Sequence, residues 1–210
     1  QKEHTEYDLN FYTGMQMGIR TVQKTLLWYA DEAKTLADQE ENGDRKSDLQ
    51  EMERICRKLT KERPESFREA IQMVIIYTMI DGAREWGRMD DYLAPFYVND
   101  LRNGVIDEEE AIRLLTSFWQ LMIAKEQVTD DRVIIGGLGR KHPKEADELA
   151  LVIMEVSRRV RDIVPQLTLR MYEGMDERLY KKAMDCIGEG TTYPMLYQDE
   201  NILPGVMNVF

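Results

Sequence analysis

Two stretches decide the fold: Arg132-Val133-Ile134-Ile135-Gly136-Gly137 and, one helical pattern later, Gln166-Leu167-Thr168-Leu169-Arg170-Met171-Tyr172. The first is a short β-branched run ended by glycines, and the second alternates polar and apolar residues through its middle; both patterns predict strands. Between them, Pro143 stands where a first helical turn begins, and Leu149, Val152, Ile153 and Val156 recur at helical spacing. After the second strand, Asp176 is placed to cap a helix through Leu179, Ala183 and Ile187, closed by Gly188. Pro194-Met195-Leu196-Tyr197 is a third, shorter strand. Strand, helix, strand, helix, strand is the order of parallel β/α units. Three strands cannot close a barrel, so this sheet is expected to leave edges for something else to pair with.

Outward toward the N-terminus, the chain reads as helix. From Thr13 to Glu40 the apolar positions Met15, Ile19, Val22, Leu26 and Tyr29 repeat every three or four residues without a proline, until Glu41-Asn42-Gly43-Asp44 breaks the run. A more polar helix follows, with Leu49, Met52, Ile55, Cys56 and Leu59 on one stripe, and Pro64 ends it. Ser66 and Glu69 have capping-box spacing and open an apolar helix through Ile71, Val74, Ile75, Thr78 and Met79 that stops near Gly82. Residues 83 to 104 read as a loop, with Gly87, Pro95, Asn99, Asn103 and Gly104 as breakers. Asp107 and Glu110 repeat the capping spacing before a helix carrying Ile112, Leu115, Phe118, Trp119 and Met122. The organisation expected is a mainly helical part over residues 1–127 and strand–helix units of the same domain over 128–210, with no independent second domain.

Composition narrows the function. Of 210 residues, 43% are hydrophobic and 32% charged, with 13 Gly and 6 Pro, which is a folded rather than a low-complexity chain. Acidic residues outnumber basic ones 39 to 28, for a formal charge of −11, so no nucleic-acid partner is expected: an acidic surface repels phosphates. No apolar run approaches the ~20 residues that span a bilayer, and the first ten residues do not read as a signal peptide, so no membrane partner and a cytoplasmic location are expected. Two distant cysteines, Cys56 and Cys186, fit a reducing compartment.

The search for chemistry leaves few sites. His4 and His142 have no ligand spacing, so no metal site is expected. Gly136-Gly137-Leu138-Gly139 before Arg140 and Lys141 reads either as an anion cradle or as a flexible strand-to-helix turn, with no G-x-G-x-x-G or Walker spacing to favour the cradle. Cys56 and Cys186 lie on helix stripes and read as buried thiols. Arg84-Glu85-Trp86-Gly87-Arg88-Met89-Asp90-Asp91-Tyr92 reads either as a functional loop or as a helix-ending knot in which Arg88 pairs with Asp90. Gly188-Glu189-Gly190 through Tyr197-Gln198-Asp199 feeds the end of a strand, where parallel α/β folds collect ligands.

Taken in series, several pieces resemble the glycyl radical enzymes, the pyruvate formate-lyase-like family. They are Pro64-x-Ser66-Phe67-Arg68-Glu69-Ala70-Ile71-Gln72, then Gly87-Arg88-Met89-Asp90-Asp91-Tyr92-Leu93-Ala94-Pro95-Phe96-Tyr97 with Asp100-Leu101. Ile134-Ile135-Gly136-Gly137, Glu148-Leu149, Pro165-Gln166-Leu167-Thr168-Leu169-Arg170, Gly188-x-Gly190-x-x-x-Pro194, Tyr197-Gln198-Asp199 and Ile202 follow in the family's order. The resemblance runs from about Thr13 to the end. It implies a fold class of α/β, as an internal part of a ten-stranded glycyl-radical-enzyme-type α/β barrel whose central loops bear a catalytic cysteine and a radical glycine. It implies cleavage of a C–C, C–N, C–S or C–O bond of a small polar substrate by thiyl radical chemistry without oxygen, as in the family's lyases, dehydratases and formate acetyltransferase (a transferase). A radical-SAM activase would install the radical on the glycine of the parent protein.

The same resemblance marks departures. The family's cysteine sits in a G-C-x-E-like loop downstream of the segment matching Tyr197 to Val209, and neither Cys56 nor Cys186 takes that position. Nothing here matches the R-V-x-G-Y-like stretch of the radical glycine. Asp91 stands where the family commonly has Gln, and Ala146-Asp147-Glu148 replaces an A-T-N-E-like run. No catalytic residue, cofactor-binding residue or bound cofactor is therefore expected within this chain, the glycyl radical belonging to the parent alone. The resemblance carries substrate lining onto Gly82, Ala83, Arg84, Glu85 and Trp86, with Arg84 suited to a carboxylate or phosphate and Trp86 to an apolar wall. The expected partners are a small-molecule substrate, the activase, and either a second copy or the remainder of the barrel. Two other readings stay open: a non-catalytic split or decayed homologue acting in assembly, and a small α/β ligand-binding domain.

Overall fold

A computed structural model describes residues 6–82, 85–126 and 131–207. The chain divides into two compact units, Gln1–Glu65 with Gln72–Gly82, and Ser66–Ile71 with Ala83–Phe210. The expected organisational boundary between 127 and 128 lies outside the described residues.

In the first unit, α1 (Glu6–Gln39) and α2 (Gly43–Leu59) form a helical hairpin. Asn42 caps α2 by accepting from the Arg45 N–H. Leu26 and Ala30 of α1 meet Ile55, Cys56 and Leu59 of α2, together with Ile76 from the part of α3 (Phe67–Asp81) that belongs here. Side chains buried to this degree contribute roughly 1.5–3 kcal/mol each for the larger aliphatics. The expected stripe of α1 is buried only from Val22 onward. Met15 and Ile19, together with Tyr7, Leu9, Phe11, Tyr12 and Met17, are exposed.

The second unit holds four parallel strands in the order β1-β2-β3-β4: β1 (Glu85–Arg88), β2 (Arg132–Gly136), β3 (Gln166–Met171) and β4 (Met195–Gln198). The three strands expected from the sequence are present. The fourth, β1, corrects the reading of residues 83 to 104 as loop, as does α4 (Met89–Arg102) directly after it. Helix α4 survives Pro95 because Met89, Leu93, Ala94, Tyr97 and Val98 form a buried face, and packing outweighs the lost backbone bond. Between strands run α5 (Glu108–Ala124), α6 (Pro143–Val160) and α7 (Glu177–Gly188), and α8 (Asp199–Met207) follows β4 unforeseen. The expected caps form: Glu69 N–H donates to Ser66 Oγ at 3.2 Å, Glu110 N–H to Asp107 at 2.8 Å, and Arg178 N–H to Asp176 at 2.9 Å.

The sheet's two faces differ. Val133, Ile135, Leu167 and Leu169 are fully buried on the face packed by α4 and α6. The alternate positions, Arg132, Ile134, Gln166, Thr168 and Arg170, point to the other face. Arg88 pairs in register with Ile134, Met195 with Thr168, and Tyr197 with Arg170, which extends that face across all four strands. Strands β1 and β4 each have one hydrogen-bonded neighbour among the described residues.

Candidate functional site

At the C-terminal ends of the strands the glycine turn is filled by the chain's own carboxylates. Asp90, at the start of α4, is fully buried; its Oδ2 accepts the Gly136 N–H at 2.8 Å and an Arg140 N–H at 3.1 Å. Asp199, at the start of α8, accepts the Leu138 N–H at 2.8 Å and the Arg170 Nε–H at 2.7 Å. Asp91 accepts the Lys141 N–H at 2.9 Å. The turn's carbonyls are covered too: Arg88 donates to those of Gly136, Gly137 and Leu138 at 2.6, 2.9 and 2.7 Å, and Arg140 to Gly137 at 3.1 Å. Arg140 also pairs with Asp147 at 2.7 Å and donates to the Tyr172 hydroxyl at 3.2 Å.

Of the two readings of Gly136–Lys141, neither an open anion cradle nor a loose turn fits this geometry. The Gly136, Leu138 and Lys141 N–H groups and Arg140, donors suited to a phosphate, are already bonded to aspartates. Backbone shape makes the glycines necessary: Gly136 has φ +74°, and a Cβ there would lie 2.5 Å from the Arg170 carbonyl oxygen. The knot expected between Arg88 and Asp90 is replaced by this larger lock, in which Arg88 serves the turn's carbonyls and Asp90 serves Gly136 and Arg140. Burial pushes the Asp90 carboxyl up to about 6, against the opposing pull of the Gly136 N–H, Arg140 and Arg88.

Among the residues carried over by resemblance, Ala83 and Arg84 lie outside the described residues. Glu85 is exposed at the first position of β1. Trp86 is 4% exposed, edge-on to Phe118 at 4.9 Å between centroids, with the Lys125 ammonium 4.5 Å over its ring. Glu85, Arg132 and Gln166 stand side by side across the sheet as the first residues of β1, β2 and β3. In the sequence, Arg132 is marked only by its place at the head of a β-branched run.

Neither cysteine suits radical relay or nucleophilic work. Cys56 is fully buried in the helical hairpin and its thiol is pushed up to about 11 by burial. Cys186 is buried, raised by the same cause, and donates to the Met154 carbonyl. No cluster of three metal-ligating side chains occurs among the described residues, and no described helix is long and apolar enough to cross a membrane. Surface hollows of 530, 340 and 620 Å³ lie on helices α4 to α7 and their connecting residues, and no strand residue lines them.

Comparison with known proteins places this geometry. The family described as pyruvate formate lyase-like matches residues 1–209. The (2S)-3-sulfopropanediol dehydratase of Klebsiella oxytoca is 26% identical over 94% of this chain and 26% of its own length. The 4-hydroxyphenylacetate decarboxylase glycyl radical subunit of Clostridioides difficile is 30% identical over 96% of this chain and 24% of its own. A crystal structure of a glycyl radical enzyme from Archaeoglobus fulgidus superposes with a TM-score of 0.75 at 26% identity, covering 90% of this chain and 27% of that one. The chain thus spans about a quarter of the length of the curated relatives it matches. By its match along nearly every residue, the chain belongs to the pyruvate formate lyase-like family of glycyl radical enzymes.

Proposed function

We propose that this chain is a wall of a glycyl radical lyase or dehydratase that cleaves a C–C, C–N, C–S or C–O bond of a small polar substrate. The observation that carries this reading is the family match over residues 1–209. Relatives named for dehydrating 3-sulfopropanediol and trans-4-hydroxy-L-proline and for releasing sulfite from isethionate support the reaction class. The buried thiols of Cys56 and Cys186 do not fit the radical relay, so the reactive cysteine and glycine are assigned to sequence beyond these residues. The role left to this chain is to build the sheet, lock the strand ends, and present one face of that sheet with Glu85 and Trp86 at its edge. The assembly-subunit and ligand-binding-domain readings gain nothing from these relatives.

The test is to isolate the protein from its native cells without oxygen, treat it with its radical-SAM activase, and record the electron paramagnetic resonance spectrum and the intact mass. A glycyl doublet is expected, from a species well above 24.7 kDa or from a co-purifying chain that carries the glycine. An undegraded 24.7 kDa protein with no doublet would overturn the proposal. The 210-residue chain alone is expected to give no doublet.

A further inference from the structure

We propose that Arg132, supported by Gln166 and Thr168, is an anchor for the carboxylate or sulfonate head of a small-molecule ligand. The proposal deepens the function proposed above and rests on it for the identity of the face as substrate-lining. Its physical basis is a set of polar atoms left incomplete on one sheet face. A parallel sheet is normally covered on both sides and reads as continuously apolar. Here one face is apolar and fully buried, whereas the other carries Arg88, Arg132, Gln166, Thr168 and Arg170 among Ile134, Met195 and Tyr197.

Two of the three arginines on that face are already committed. Arg88 holds the carbonyls of the glycine turn, and Arg170 holds Asp199 at 2.7 Å. Arg132 has no backbone carbonyl or carboxylate partner among the described residues, although the Arg88 Nε is unmet as well. The Arg132 Nη2 meets the Gln166 side-chain oxygen at 3.2 Å, and its buried Nε has no partner among the described residues. Thr168 lies two residues beyond Gln166 on the same face of β3; it is 1% exposed, and its Oγ1 also lacks a partner among the described residues. Buried donors are nearly always satisfied, and leaving one unmet costs about 1–3 kcal/mol. The Arg132 Nε–H is open to one oxygen of a carboxylate or sulfonate, while Nη2 on the same edge is held by Gln166. Gln166 fixes the orientation of the guanidinium plane from the neighbouring strand. The hydroxyl of Thr168 supplies a further donor or acceptor on the same face. Glu85, in register with Arg132 on β1, is the anionic neighbour, and it selects for a ligand whose charge is confined to the end held by Arg132.

The test reads binding rather than turnover. The arginine Nε–Hε signals of the protein are followed by NMR during titration with lactate and, in parallel, with 1,2-propanediol, which replaces the carboxylate by a hydroxymethyl group. The Arg132 signal, identified by its loss in R132K, is expected to move saturably with lactate and to stay put with the diol. By calorimetry, R132Q is expected to weaken lactate binding roughly tenfold or more, and T168V roughly threefold. An Arg132 signal that ignores lactate, or that answers both ligands alike, overturns the proposal. So does R132Q binding lactate as tightly as the parent. Should R132Q fail to fold, the titration of the parent protein decides. Lactate binding through Arg132 without any glycyl doublet would sink the enzymatic reading and leave the anchor; a doublet with an indifferent Arg132 would do the reverse.

Discussion

The two ends of the same four-stranded sheet have been finished in opposite ways. At the C-terminal end, three aspartates and three arginines close the Gly136–Lys141 turn, and its bonded N–H and C=O groups face partners from this chain. At the N-terminal end, Glu85, Arg132 and Gln166 form a polar row in which a buried guanidinium nitrogen has no partner among the described residues. Ligands usually gather at the carboxyl ends of parallel strands. In this chain those ends are tied by internal ion pairs, and the capacity to bind lies toward the other end. Location in a fold is thus a weaker guide than asking which polar atoms are already satisfied.

That contrast can be broken first at Arg140. Replacing it by Met takes the cationic partner from Asp90 and Asp147 in a buried place and leaves the Gly137 carbonyl to Arg88 alone, so a loss of about 3–5 kcal/mol is expected in urea denaturation. An effect below about 1 kcal/mol would show that the lock is ornamental. Next is Gly136→Ala, whose Cβ would strike the Arg170 carbonyl from a left-handed backbone; about 2–4 kcal/mol is expected from the same measurement.

The Asp90 carboxyl gives a signed pH test. Its ordinary value of 3.8 rises to about 6 on folding, so between these values the folded chain holds a proton that the unfolded chain has released. Its contribution to stability therefore falls as pH rises through that window, by about 2–3 kcal/mol. The stability difference between the parent and Asp90→Asn should shrink or change sign across pH 4 to 6, and a difference constant over that range would refute the assignment. The smallest effect is expected at the other end of the sheet. Arg132→Gln should alter stability by less than about 1 kcal/mol, because among the described residues the side chain bonds only Gln166. A larger loss would make Arg132 structural.

Much of this architecture is legible from local pattern. Strands β2 and β3 announce themselves through Val133-Ile134-Ile135 and the alternation of Gln166 to Met171, and the caps at Ser66, Asp107 and Asp176 need only a spacing rule. Strand β1 does not: Glu85-Trp86-Gly87-Arg88 has one large apolar residue and a glycine at φ +60°, and it is a strand because β2 pairs with it. The lock is equally hidden, since Asp199 reaches Leu138 across 61 residues and Asp90 reaches Gly136 across 46. The exposed Met15 and Ile19 teach the converse, for a helical stripe shows which side is apolar without showing what covers it. Arg132 is not legible as a site, because an arginine heading a strand is unremarkable until the described residues around it leave its Nε unmet.

The most direct test of the account is electron paramagnetic resonance of the anaerobically purified native protein after activation, made on the parent and on Arg132→Gln side by side. A glycyl doublet of similar intensity in both is expected, with lactate binding weakened only in the variant. No doublet in the parent, under conditions that activate a relative prepared in parallel, would contradict the assignment of this chain to a radical enzyme.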